Sequence, residues 1–98
     1  MYKNSLWNRH FKKQADKIWA EDEGLAFVTY IADNPDAGDV IPNAEGARKI
    51  RWNLGGQGKR GGVRVIYFNV SEDLLCLVAI YKKTEQSNMS AKKIKEVH

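Results

Sequence analysis

Trp7, Phe11, Ala15 and Ile18 recur at steps of four, four and three, the spacing that places apolar side chains on one face of an α-helix. Lys12, Lys13 and Lys17 fall on its other sides, and Asn4 or Ser5 is placed to cap its start. The acidic run Glu21 to Glu23 suits the positive start of a second helix, which Leu25, Val28, Ile31 and Ala32 continue. Asn34-Pro35 ends it, because a proline pushes the preceding residue out of helical dihedrals. From Pro42 the period shortens to two. Ala47 to Trp52 reads as a strand with Arg48, Ile50 and Trp52 on one side and Lys49 and Arg51 on the other. Val63 to Val70 and Leu74 to Tyr81 are dense in β-branched and aromatic residues, and Ser71, Glu72 and Asp73 join them with hairpin-loop length. A short strand near Tyr2 and a brief helix capped by Ser90 complete the prediction. This order describes one α+β domain over residues 1–98, with two N-terminal helices packed on a small, mainly antiparallel sheet.

Length and composition narrow the classes. A chain of 98 residues holds one modest core. No apolar run approaches the roughly 20 residues that span a bilayer, and the N-terminus lacks the apolar stretch of a signal peptide. The single cysteine, Cys76, lies in an apolar run and reads as a buried structural thiol, which fits a cytoplasmic address. His10 and His98 stand at opposite ends with no ligand spacing around them, so neither a metal nor a cofactor is expected.

Charge changes the picture more. The net charge of +4 is strongly segregated. Residues 21–47 carry seven acids and no cation, whereas residues 48–64 carry six cations and no acid. Segregation of this kind points to a basic face aimed at a polyanion.

Between the first two long strand candidates, Gly56, Gly58, Gly61 and Val63 spell G-x-G-x-x-G-x-V, the spacing of a nucleotide-cradling loop. A dinucleotide site needs a helix after the last glycine, and here a strand follows. A phosphate loop of the Walker type needs Ser or Thr after Gly58-Lys59, where Arg60 stands. What remains is a glycine-rich cationic connection whose Lys59 and Arg60 suit a nucleic-acid backbone rather than a bound nucleotide. Lys49 and Arg51 share a sheet face, Arg64 opens the strand predicted to pair with them, and Lys82 and Lys83 close the next one. Lys12 and Lys13 add basic charge from the first helix.

Four motifs carry a resemblance. They are Asn34-Pro35-x-x-Gly38-Asp39-Val40-Ile41-Pro42, Gly46-Ala47-Arg48-Lys49-Ile50-Arg51-Trp52, Gly58-Lys59-Arg60-Gly61-Gly62-Val63-Arg64-Val65-Ile66-Tyr67, and Tyr81-x-Lys83-x-Glu85. In this order and spacing, over roughly residues 20 to 90, they resemble the HigB-type branch of the RelE/ParE toxin superfamily. The resemblance implies a compact RelE-like fold and the toxin of a type II toxin–antitoxin pair. Its implied activity is a metal-independent, ribosome-dependent endoribonuclease that cuts mRNA in the A site and so inhibits translation. It places the phosphate-handling roles on Lys49, Arg51 and Arg64, with Lys83 at the end of the last strand. Relatives use a C-terminal tyrosine as base, where this chain has Met89 or Ser90, and Glu85 is the substitute candidate. Tyr67 and Tyr81 sit in apolar strands and read as core.

RNA or ribosome contacts then fall to Lys59, Arg60, Lys82, Lys12 and Lys13. The implied partners are a cognate antitoxin of helix-turn-helix type, the ribosome and mRNA, with no membrane and a monomeric toxin on its own. Two alternatives stay open, a non-catalytic ribosome- or RNA-binding module and a ParE-like gyrase-inhibiting toxin.

Overall fold

The structure, a computed structural model, describes residues 4–53, 62–82 and 92–94. Strand β1 (Asn4–Trp7) leads into helices α1 (Arg9–Ile18) and α2 (Glu21–Asp33). Strands β2 (Asp39–Val40), β3 (Arg48–Asn53), β4 (Gly62–Ser71) and β5 (Leu74–Lys82) follow. They form one sheet in the order β1-β5-β4-β3-β2, antiparallel except for the parallel β1–β5 pair. A helical turn lies at 92–94. The α+β class with two N-terminal helices on a mostly antiparallel sheet is the architecture the periodicity describes. No helix among the described residues is long and apolar enough to cross a membrane.

The first helix starts later than its apolar spacing suggests. Trp7 belongs to β1, and Asn8 rather than Asn4 or Ser5 caps α1, its Oδ1 accepting from the Phe11 N–H at 2.8 Å. Trp7 nevertheless packs edge-on against Phe11, with ring centroids 5.1 Å apart, so it satisfies the same apolar face from outside the helix. In α2 the buried stripe is Gly24, Phe27 and Ile31, while Leu25 is exposed. Trp19 sets this rotation: its ring covers Gly24 so closely that a Cβ there would lie 2.9 Å from the indole nitrogen. The aromatic series Trp7, Phe11, Trp19, Phe27, Trp52 and Tyr30 then links β1, both helices and β3 through edge-on and tilted contacts, each neighbouring pair within 5.1–6.2 Å. Contacts of this kind each contribute roughly 0.5–1.5 kcal/mol beyond burial.

The sheet has apolar material on both faces. Ile50, Val63, Val65, Tyr67, Leu75, Leu77 and Ile80 meet the helices. Ile66, Cys76, Val78, Ala79 and Tyr81 form a second cluster with Ala44, Ala47 and Ile94 on the other face. The switch from odd to even numbering along β5 comes from a β-bulge. Ile66 pairs with Ala79 but Tyr67 pairs with Leu77, which leaves Val78 as the extra residue.

A polar latch holds the segment between α2 and β2 against this frame. The buried Tyr67 hydroxyl donates to the Pro35 carbonyl at 2.8 Å and accepts from the Gly38 N–H at 3.0 Å. Its strand neighbour Arg48 donates to the Gly38 carbonyl at 2.8 Å and lies 3.5 Å from the Asp36 carboxylate. A side chain at Gly38 would meet the Tyr67 ring and hydroxyl at 2.9 Å and the Lys49 carbonyl at 3.0 Å, so this position has no room for a Cβ. Burial raises the Tyr67 phenol above its usual 10.0.

Tyr67→Phe therefore strands a buried N–H and is expected to cost about 1–3 kcal/mol in urea unfolding. The raised value has a definite sign. Folding favours the neutral phenol, so its contribution is complete below about pH 10 and is lost as pH climbs through the folded value. Alkaline unfolding curves should be flatter for Tyr67→Phe than for wild type, and equal slopes would contradict the assignment.

Candidate nucleic-acid interface

The register of β3 against β4 sets which cations meet. Arg51 lies directly opposite Arg64, and Lys49 opposite Ile66. On the next strand Arg64 faces Tyr81, and Ile66 faces Ala79. Directly opposed residues share a face, so Lys49, Arg51 and Arg64 stand together on the side away from the helices. The second apolar cluster, including the buried Tyr81 and Ile66, forms the floor beside them. Arg51 is exposed, and Lys49 and Arg64 are half-buried.

Two arginines paired across strands repel, and like charges in this position destabilise a sheet. Among the described residues no carboxylate forms an ion pair with Arg51 or Arg64. The arrangement gains from an anion between them, because two guanidinium forks side by side present paired donors to phosphate oxygens. The position a Cβ would occupy at Gly62 is 4.0 Å from Arg51 Nε, so the arginine stem runs beside a bare stretch of backbone. A bare backbone lets a phosphate come close.

The remaining sequence candidates are placed differently. Lys82 is opposite Val63, on the helix-bearing face and half-buried, and does not join the three cations. The bulge at Val78 causes this, since it shifts the alternation by one and presents Tyr81 to the cationic face instead. Lys12 and Lys13 are exposed on α1, in the helical layer. Lys59, Arg60, Lys83 and Glu85 lie outside the described residues. His10 is half-buried on α1, and its pKa is lowered by that burial and by the charges of Lys93 and Lys13. Cys76 is buried, which pushes its thiol up and fits a structural role.

One neighbour of the site was not visible from periodicity. Asp39 in the two-residue strand β2 pairs with Lys49 and brings a carboxylate to the same row. A strand this short has no alternation to read, and both of its residues are exposed. No model of a known protein family matches this chain.

The repulsion can be measured. Arg51→Glu converts the cross-strand pair to opposite charges and is expected to raise stability by roughly 0.2–1 kcal/mol in urea unfolding. Unchanged or reduced stability would show that Arg51 and Arg64 are not in conflict in the free protein.

Proposed function

We propose that this protein is a toxin of the RelE/HigB type, a ribosome-dependent endoribonuclease that cuts mRNA and works in the cytoplasm beside a cognate antitoxin. The observation that carries the reading is the direct pairing of Arg51 with Arg64, with Lys49 one row away on the same face. These are the positions to which the family resemblance assigns phosphate handling.

Cleavage by this route forms a bond between the RNA 2′-oxygen and phosphorus and breaks the bond from phosphorus to the 5′-oxygen. The 2′-hydroxyl proton passes to a base, and the leaving 5′-oxygen takes one up. Arg51 and Arg64 stabilise the added negative charge on the phosphate oxygens, the largest contribution a site of this kind makes. In this reading Lys49, on the same face, protonates the leaving oxygen. Asp39, opposite Lys49, and Glu85 are the carboxylates to test as the base.

A second reading, ribosome binding without cutting, is favoured by one feature. The row Arg51, Arg64 and Tyr81 contains no carboxylate or histidine.

Translation in vitro with a defined mRNA, followed by primer extension, separates the two. Wild type is expected to give cuts only when ribosomes translate, and Arg64→Ala to slow them roughly 10²- to 10³-fold. Blocked translation on intact mRNA would establish the binding reading. Intact mRNA with normal translation would remove both and turn attention to gyrase.

A further inference from the structure

Beyond Lys49 the outer edge of β3 has no strand beside it among the described residues, because β2 supplies only Asp39 and Val40. At this open edge lies a hollow of about 390 Å³ lined by Tyr30, Ile50, Arg51, Trp52 and Asn53. It wraps around the strand. Trp52 and Ile50 come from the helix-bearing face with Tyr30 of α2 above them, and Arg51 and Asn53 come from the cationic face. The Tyr30 and Trp52 rings are 5.3 Å apart and inclined at 46°, so they form an open angle rather than a closed stack. Tyr30 remains 40% exposed although it touches the aromatic series.

The edge also offers backbone groups. Just after β2 the Ile41 N–H donates to the carbonyl of Ala47, the residue before β3, at 2.8 Å, and hydrogen-bonding direction alternates along a strand. The N–H and C=O of Arg51 and Asn53 therefore point to the open side, next to the two rings. Aromatic faces, outward amide groups and a guanidinium on one rim are what an unstacked nucleobase uses. The charge on the rim selects the occupant. Arg51 belongs at once to the hollow and to the Arg51–Arg64 pair, so the hollow adjoins the pair through one shared side chain.

We propose that Tyr30 and Trp52 form a base-binding subsite for single-stranded RNA, beside the phosphate held by Arg51 and Arg64. The subsite rests on the reading of that arginine pair as an RNA-phosphate site. It gives the protein a means of preferring some bases over others at the nucleotide next to that phosphate. Trp52 also packs on Phe27, with rings 5.2 Å apart, so Tyr30 is the residue to vary without disturbing the core.

The test is equilibrium binding at low salt of a fluorescein-labelled hexaribonucleotide and of an abasic hexamer with the same sugar–phosphate backbone. Wild type, Tyr30→Ala, Tyr30→Phe and Arg64→Ala are compared. Wild type is expected to prefer the base-bearing hexamer by roughly 5-fold or more, the scale of one base–aromatic stack. Tyr30→Ala should lose most of that preference while its affinity for the abasic hexamer stays as in wild type, and Tyr30→Phe should keep the preference. If Tyr30→Ala keeps the full preference while Arg64→Ala weakens both ligands, the subsite is overturned and the phosphate site stands. The hollow is then left to another occupant, such as an added protein strand. If Arg64→Ala leaves abasic binding unchanged, the phosphate site fails and the subsite fails with it.

Discussion

The antiparallel register of β3 on β4 decides both what is buried and what is presented. With Ile50 opposite Val65 and Trp52 opposite Val63, the apolar side chains of both strands turn to the helices. The same register puts Arg51 opposite Arg64 on the other side. A slip of β3 by one residue would turn Lys49 and Arg51 toward the helical core and expose Ile50 and Trp52, so the cost of burying charge locks the cationic face in place. The repulsion between the arginines is therefore held by hydrophobic burial on the opposite face. A surface strain maintained in this way is relieved when an anion arrives.

The Tyr67–Arg48 latch serves the same register from its far end. Both residues sit opposite one another, and both reach across to the segment 35–38 that delivers β2. This explains much of the first two motifs in structural terms. Pro35 and Gly38 receive the latch, and Gly38 leaves room for the Tyr67 ring. Those residues position Asp39 beside Lys49 and then let β2 end, which opens the edge on which Tyr30 and Trp52 stand. Framework and site are thus joined by one short piece of chain.

Much of this was legible in the residues themselves. The period of two from Arg48 to Trp52 separates Ile50 and Trp52 from Lys49 and Arg51, and the structure keeps that division. What was not legible has physical causes. Trp7 packs on Phe11 equally well from a strand as from an added helical turn, so spacing alone could not find the boundary that the Asn8 cap draws. Leu25 fits a helical stripe, yet the bulk of Trp19 over Gly24 turns α2 by one position. The bulge at Val78 leaves no mark in a run of apolar residues, and it moves Lys82 away from the other cations. Asp39 and Tyr30 reach the site only through tertiary placement.

The proposal on which the site rests is that Arg51 and Arg64 together hold an RNA phosphate. Its most direct test is the salt dependence of oligoribonucleotide affinity for wild type, Arg51→Ala and Arg64→Ala. Each lost phosphate contact on a single strand lowers the slope of log affinity against log salt by about 0.7. A drop of that size is expected for each variant. Slopes identical to wild type in both would contradict it, because the arginines would then bind no phosphate.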